Sequence, residues 1–269
     1  MRNTLVITLE RTVPLPKRIP RLARVGPIEV LFVDKGGVLI DNNDLSPQWR
    51  RLIGEFLAPR LGGSPEAWGA ANIPAFEQQL ERWRSAMAGR GPADIRGFFA
   101  KDARLWFLEM CDAIGLQRPP DEEAERIAAD TVSYVKAHLE LRPPQGGLRA
   151  LRALRARGLV LHVASADAHD ELVAFLEQIG VRDLFDRVYG SDLVNTWKFG
   201  PEYYRAVLAD SGVDPQLAAV VDDSPSAVSW ARECGMRGFL VERQNGEGFD
   251  NAVTRTLSEV ARATSWPVR

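Results

Sequence analysis

Short apolar runs, each closing on a polar or charged residue, form the strongest pattern along this chain. They occupy residues 30–33, 159–164, 217–221, 238–241 and, more weakly, 187–189. Continuous apolar runs of this length are typical of strands that are buried on both faces of a parallel sheet. We therefore predict a strand at each run.

Segments with helical periodicity lie between these runs. Apolar residues recur three or four positions apart in segments 148–154, 172–179, 203–208 and 228–234. Three of the segments stop near a glycine, a common helix C-terminus, at Gly158, Gly180 and Gly235. The alternation of strand and helix predicts a doubly wound α/β fold with a parallel sheet.

Residues 42–141 interrupt the alternation, because they hold helical patterns and no convincing strand. A helical insertion between the first and second strands is the most economical organisation. Residues 1–27 differ again, with six basic residues, one acidic residue and four prolines. We predict an N-terminal arm over 1–27, an α/β core over 28–41 and 142–269, and a helical unit over 42–141.

Composition excludes several classes of protein. Hydrophobic residues make up 45% and charged residues 26% of the chain, which excludes wholesale disorder. The formal net charge of −2 gives no reason to expect nucleic acid or a membrane as partner. No apolar run reaches the length of a spanning helix, no signal peptide is recognisable, and there are two cysteines, so we expect the cytoplasm. The oligomeric state stays open, a homodimer included.

The residues that close the apolar runs are candidates for chemistry, because ligands of doubly wound sheets bind beyond the carboxyl ends of the strands. They are Asp34, Ser165 and the pair Asp222 and Asp223, and Lys198 lies in a loop between two runs. Taken singly, such residues are usually caps, turn formers or solvated charges. As a set they suit phosphoryl transfer, since carboxylates hold Mg²⁺, an aspartate attacks phosphorus, and lysine and serine bind phosphate oxygens.

With this set of residues, the chain resembles the haloacid dehalogenase superfamily, whose members are mostly phosphatases. The first family motif is a strand followed by Asp-x-Asp-Gly-Thr or Asp-x-Asp-Gly-Val. The second is a strand ending in Ser or Thr, the third a Lys usually followed by Pro-x-Pro, and the fourth a strand ending in paired acidic residues. Similar segments occur in that order at residues 32–39, 163–166, 198–204 and 220–224. The resemblance covers roughly residues 29–245.

The resemblance implies a Rossmann-like core with a helical cap over 42–141, and a Mg²⁺-dependent phosphohydrolase acting on a small phosphorylated metabolite. It implies that Asp34 is the nucleophile and that Ser165 and Lys198 complete the catalytic set. The residues implied to bind substrate are Lys35, Gly36, Gly37, Ser165, Ala166 and Lys198. The residues implied to hold Mg²⁺ are Asp34, Gly36 through its carbonyl, Asp222 and Asp223. The Lys35 side chain has two interpretations: it favours an anionic substrate, or it points into solvent.

The chain departs from the family at Gly36, where the family has the Asp that acts as general acid. General acid–base catalysis typically contributes about 10²–10⁴-fold. Three outcomes stay open. The substrate has a good leaving group, such as a sugar-1-phosphate or an acyl phosphate. Another side chain supplies the proton, with Asp41, His169 and a residue of the cap as candidates. Or turnover is weak or absent, and the protein is a ligand-binding or regulatory module.

Two other branches of the family also lack this Asp. Carbon–halogen cleavage needs no metal, so the acidic pair Asp222 and Asp223 weighs against it. Phosphonate cleavage uses a lysine of the cap, and Lys101 and Lys136 are the lysines of segment 42–141.

Overall fold

The computed structural model describes residues 27–87 and 94–264. Within them, five parallel strands form one sheet in the order β3-β2-β1-β4-β5. The strands are β1 (Val30–Val33), β2 (Val160–Ala164), β3 (Arg187–Tyr189), β4 (Ala218–Asp222) and β5 (Arg237–Leu240). Every predicted run contains a strand, within one residue at either end, so the predicted parallel sheet is confirmed.

The described helices lie between the strands and beyond the last of them. They are α1 (Asn42–Leu61), α2 (Pro65–Met87), α3 (Ile95–Ala113), α4 (Asp121–His138), α5 (Gln145–Ala156), α6 (His169–Gln178), α7 (Pro201–Ser211), α8 (Pro225–Glu233) and α9 (Phe249–Ala263). None of these helices combines the length and the apolar character that a membrane crossing requires.

Helices cover both faces of the sheet, because successive side chains of a strand point to opposite sides. In β1, Leu31 and Val33 pack in a hydrophobic cluster with residues of α5, α6 and α9. The intervening Val30 and Phe32 pack in another cluster with residues of α7 and α8. The doubly wound α/β fold predicted from the sequence is therefore confirmed.

Helices α1 to α4 occupy the long connection between β1 and β2 and have a hydrophobic cluster of their own. Its largest buried side chains include Trp68 and Phe107, whose rings stack with centroids 6.2 Å apart. The indole of Trp106 is also buried and donates a hydrogen bond of 2.8 Å to Asn72. The boundaries of arm, core and helical unit stay a prediction, and residues 1–26 of the arm lie outside the described residues.

Register brings the ends of the three central strands to one edge. Val33 of β1 pairs with Val163 of β2 on one side and with Val221 of β4 on the other. The chain winds from β1 outward to β2 and β3, and then crosses to β4 on the opposite side of β1. The carboxyl ends of β1 and β4 therefore flank the point where the winding reverses, which is where such sheets bind ligands.

Candidate active site at the carboxyl edge of the sheet

Three aspartates meet where the winding of the sheet reverses. Asp34 directly follows β1, Asp222 is the last residue of β4, and Asp223 follows it. Each offers a carboxylate oxygen, and these oxygens all lie within 4.8 Å of one another. The structure therefore brings together the three acidic residues that the sequence singled out.

A buried lysine joins this group from a different loop. The Nζ of Lys198 lies 2.7 Å from Oδ1 of Asp34 and 2.7 Å from Oδ2 of Asp222. It also donates a hydrogen bond of 2.8 Å to the carbonyl oxygen of Ala164, the last residue of β2. Burial disfavours the ammonium, but Asp34, Asp222 and two neighbouring tyrosines together outweigh it, and the pKa of Lys198 is raised. The ammonium thus connects the ends of three strands.

One ammonium does not balance three carboxylates. Burial raises the pKa of Asp34 to about 6, and the attraction of Lys198 offsets this only in part. Desolvation, together with the charge of Asp34, raises the pKa of Asp223 to about 6 as well. Oδ2 of Asp222 is buried, and it shares the Lys198 ammonium with Oδ1 of Asp34. Such a group is costly without further positive charge.

The composition of the group decides which cation fits it. All its ligand atoms are carboxylate oxygens, which hard divalent cations such as Mg²⁺ prefer. Three carboxylates beside one ammonium leave an excess of negative charge for such a cation to neutralise, and their oxygens lie close enough together to bind one ion. Asp34, Asp222 and Asp223 therefore fit a magnesium site.

Gly37 lets the Asp223 carboxylate lie directly against the backbone. A Cβ on Gly37 would lie 2.0 Å from Oδ2 of Asp223, which no real Cβ tolerates. Gly37 also has a φ of +65°, a conformation that residues with a Cβ rarely adopt. Both observations require glycine at this position.

Ser165 is bonded to a carboxylate that sequence reasoning missed. Its Oγ donates a hydrogen bond of 2.8 Å to Oδ2 of Asp167, and Nζ of Lys35 donates one of 2.8 Å to Oδ1 of the same residue. Burial acts to raise the pKa of Asp167, but Lys35 and Ser165 outweigh it and hold this pKa below its usual value. The interpretation in which Lys35 points into solvent is wrong, since its side chain is only 21% exposed.

Tyr203 of α7 is a second residue that the sequence did not single out for the site. Its buried hydroxyl lies 2.9 Å from the carbonyl oxygen of Tyr189 and 3.2 Å from that of Ser165. It therefore ties the ends of β2 and β3 to the helix that follows the Lys198 loop. In the sequence, Tyr203 is only one apolar position of a helical pattern, which gives no sign of this role.

Comparison with known proteins places the chain in a family. A sequence model of the haloacid dehalogenase-like hydrolases matches residues 28–235. The chain belongs to this family. Hexitol phosphatase B of Escherichia coli (strain K12) is 31% identical over 132 residues, which are 48% of this chain and 58% of that protein. Phosphoglycolate phosphatase of Rhodospirillum rubrum is 36% identical over 150 residues, 54% of this chain and 62% of that protein.

The chain thus spans less than two thirds of the length of these two curated relatives. Among solved structures, 2-haloacid dehalogenase from Pseudomonas syringae pv. Tomato is similar, with a TM-score of 0.63 over 88% of this chain and 100% of that one. The two sequences are 18% identical, so this likeness shows the haloacid dehalogenase-like fold alone.

Gly36 remains the departure from the first motif of the haloacid dehalogenase-like hydrolases. A Cβ on Gly36 would lie 3.0 Å from both Nδ2 and Oδ1 of Asn42. The Asn42 carboxamide, at the start of α1, therefore takes up the space beside Gly36 into which a side chain at this position would extend. No signal in the sequence pointed to Asn42.

Asp41 and His169, the two side chains suggested as alternative proton donors, are bonded to other groups. Asp41 accepts a hydrogen bond of 3.1 Å from the amide of Asn43, which caps α1, and it forms an ion pair with Arg243. The Nδ1 of His169 lies 2.8 Å from the carbonyl oxygen of Val188. Both side chains thus have structural partners that account for their positions.

The lysines that a phosphonate-cleaving enzyme would need are no better placed. Lys101 is exposed on α3. Lys136, in the last turn of α4, forms an ion pair with Glu171 of α6.

Ala166, implied to bind substrate, follows Ser165 and is partly buried.

We expect Gly37→Ala to destabilise the protein by more than its backbone conformation alone costs. Gly212 is a matched control, because it has a φ of +69° and no atom within 4 Å of its ideal Cβ. The left-handed conformation costs ~1–2 kcal/mol in each variant, and overpacking against Asp223 adds ~1–3 kcal/mol in Gly37→Ala alone. Urea unfolding measures both. Equal losses of unfolding free energy in the two variants would show that the Asp223 carboxylate does not lie against Gly37.

Proposed function

We propose that this chain is a Mg²⁺-dependent phosphohydrolase that acts on a small phosphorylated metabolite through an aspartyl-phosphate at Asp34. The observation that carries the proposal is the Lys198 ammonium, which lies 2.7 Å from a carboxylate oxygen of Asp34 and belongs to the same group as Asp222. Membership of a hydrolase family supports it, as do relatives named as phosphatases.

In the proposed reaction Asp34 attacks the phosphorus of a monoester. One of its carboxylate oxygens forms a bond to phosphorus, and the bond between phosphorus and the leaving oxygen breaks with its electron pair on that oxygen. Water then attacks the same phosphorus, which releases inorganic phosphate and regenerates the Asp34 carboxylate. The hydrogen bond from Lys198 to Oδ1 holds the carboxylate in one orientation during the attack.

Lys198, the Ser165 hydroxyl and the backbone at Ala166 are the donors proposed for the phosphoryl oxygens. In the structure the Ser165 hydroxyl donates to Asp167. It must therefore rotate away from Asp167 to donate to a phosphoryl oxygen. Lys35 remains bonded to Asp167 and compensates its charge, so that a dianionic group is not repelled by an unpaired carboxylate.

Asp34, Asp222, Asp223 and the carbonyl of Gly36 are the residues proposed to hold Mg²⁺. When bound, the ion supplies positive charge against the phosphoryl oxygens and the surrounding carboxylates. The chain's own residues supply the nucleophile, its orientation and the donors.

The absence of an acid at position 36 favours leaving groups that depart without a proton. Glycine transfers no proton, and the Asn42 carboxamide beside it donates a hydrogen bond at most. Asp41 and His169 are bonded elsewhere. Sugar-1-phosphates and acyl phosphates are therefore the substrates we propose, since their leaving groups are weak bases.

A ligand-binding or regulatory module is the second candidate, and Gly36 is again the observation that favours it. Such a module keeps the metal and phosphate sites and lacks turnover. Carbon–halogen cleavage stays less favoured. That reaction needs no metal, whereas this site keeps both Asp222 and Asp223, the acidic pair proposed to hold one.

We expect Asp34→Asn to lower the hydrolysis of p-nitrophenyl phosphate in Mg²⁺ by at least ~10³-fold, because the amide is not a nucleophile. The nitrophenolate departs without protonation, so the assay does not depend on residue 36. Asp183→Asn is the control, since Asp183 is exposed in the turn before β3. Chelation with EDTA is expected to abolish the activity and added Mg²⁺ to restore it. Equal rates for wild type and Asp34→Asn would end the proposal.

Restoring the acid needs room for its side chain. Gly36→Asp by itself places its Cβ 3.0 Å from Asn42, so we pair it with Asn42→Ala. The double variant is expected to gain ~10²-fold on glycerol phosphate, whose alkoxide needs a proton, with little change on p-nitrophenyl phosphate. Asn42→Ala alone controls for the space created. If the double variant gains nothing on the alkyl substrate while it binds Mg²⁺ normally, the second candidate function is favoured.

A further inference from the structure

The loop that carries Lys198 has little regular structure of its own. Residues 190–200 join β3 to α7 and contain neither helix nor strand. Within the loop, the amide of Lys198 donates a hydrogen bond of 3.3 Å to Oγ of Ser191. The ammonium at the end of this flexible side chain must nevertheless stay at one place beside Asp34, so contacts from outside the loop matter.

The start of the loop is bonded to residues 167–169, since the amide of Ser191 donates to the Asp167 carbonyl and the amide of His169 to Asp192. Next to Lys198 the contacts come from α2 and α3 through a group of rings, which we name the aromatic seam. It consists of Trp83 of α2, Phe98 and Phe99 of α3, and Trp197 and Phe199 of the loop. Trp197, the residue directly before Lys198, lies at its centre. Its ring centroid is 4.7 Å from that of Phe99, 5.4 Å from Phe98 and 5.8 Å from Trp83.

Packing, with no hydrogen bond from the indole nitrogen, holds the Trp197 ring in place. Only 7% of this residue is exposed, and its indole nitrogen is buried without a hydrogen-bond partner among the described residues. A buried indole N–H usually finds an acceptor, which then helps to set the ring. Because Trp197 has none, its place depends on the rings of α2 and α3 that touch it.

Within the aromatic seam, the Trp83 ring is held in place by a hydrogen bond. Its indole nitrogen donates a hydrogen bond of 2.5 Å to Oδ2 of Asp102, a carboxylate that is 2% exposed. Asp102 also accepts hydrogen bonds from Gln79 and Arg82, at 2.7 Å and 2.6 Å. A buried polar network between α2 and α3 thus fixes the Trp83 ring, and sequence spacing alone gave no sign of it.

A second link between α3 and the loop is weaker. Arg96 forms ion pairs with Asp192 of the loop and with Asp170 of α6, at 2.9 Å and 2.8 Å. The Arg96 side chain is 62% exposed, so water and salt screen these pairs. Of these two links between α3 and the loop, the aromatic seam is therefore the stronger.

We propose that Trp83 is a positioning residue that acts through Trp197 to keep the Lys198 ammonium against Asp34 and Asp222. In this role Trp83 contacts neither the ligand nor the reacting atoms. Its effect on phosphate hydrolysis rests on the proposed function, whereas its effect on the loop does not. The two effects are therefore measured separately.

The first measurement is independent of activity. Hydrogen–deuterium exchange followed by mass spectrometry is expected to show exchange in residues 190–200 at least tenfold faster in Trp83→Leu than in wild type. Peptides covering β4 serve as the internal reference and are expected to stay unchanged. Phe76→Leu is the matched control, because Phe76 lies on the same helix and is 46% exposed. A purely structural role for Trp83 would raise exchange in α2 and α3 but leave residues 190–200 as they are, and that result overturns the proposal.

The second measurement is a double-mutant cycle on p-nitrophenyl phosphate hydrolysis. Trp83→Leu is expected to lower kcat/KM about tenfold, and Trp83→Phe, which keeps a ring but loses the hydrogen bond to Asp102, to lower it less. In a Lys198→Met background Trp83→Leu is expected to have no further effect. The same tenfold loss in that background would show that Trp83 does not act through Lys198. If wild type hydrolyses no phosphate while exchange in residues 190–200 still responds to Trp83→Leu, the proposed function fails and the positioning role stands.

Discussion

The site depends on a single buried ammonium held among carboxylates. Lys198 lies 2.7 Å from oxygens of both Asp34 and Asp222, and it reaches them from a loop without regular structure. Without this charge, two buried carboxylates would face each other and one would take up a proton. With it, burial still raises the pKa of Asp34 to about 6, and one ammonium is shared between two carboxylates. The need for further positive charge follows directly, and it is the physical basis for proposing a metal at this edge of the sheet.

The sequence predicted the parts of this arrangement that follow from backbone pattern. Apolar runs located all five strands, and the rule that ligands bind beyond strand ends pointed to Asp34, Ser165 and Asp222. The sequence pattern did not pair Lys35 with Asp167, because the two residues are 132 positions apart. Each is also an ordinary residue for a turn, so neither stood out. The aromatic seam was missed for a similar reason. A tryptophan at helical spacing, such as Trp83, is ordinarily part of a helix core, and only the tertiary fold shows that its ring meets Trp197.

The departure at Gly36 has a structural counterpart. The Asn42 carboxamide lies where a longer side chain at position 36 would extend. The missing acid is thus part of a local packing arrangement that involves two residues, and restoring it means changing both. The glycine at position 36 also bears on the relative rates of the two steps of the proposed reaction. In the proposed reaction no acid at position 36 becomes a base, so we expect water to attack the aspartyl-phosphate without that help and the second step to be slow.

A slow second step would allow the covalent intermediate to accumulate, so detecting this intermediate is the direct test of Asp34 as the nucleophile. The enzyme is mixed with p-nitrophenyl phosphate and Mg²⁺, quenched in acid within the first turnovers and digested for mass spectrometry. We expect one added phosphoryl group on the peptide that contains Asp34 and none on that peptide from Asp34→Asn. Release of nitrophenol with the phosphoryl group on another residue, or with none on the protein at any quench time, would contradict it.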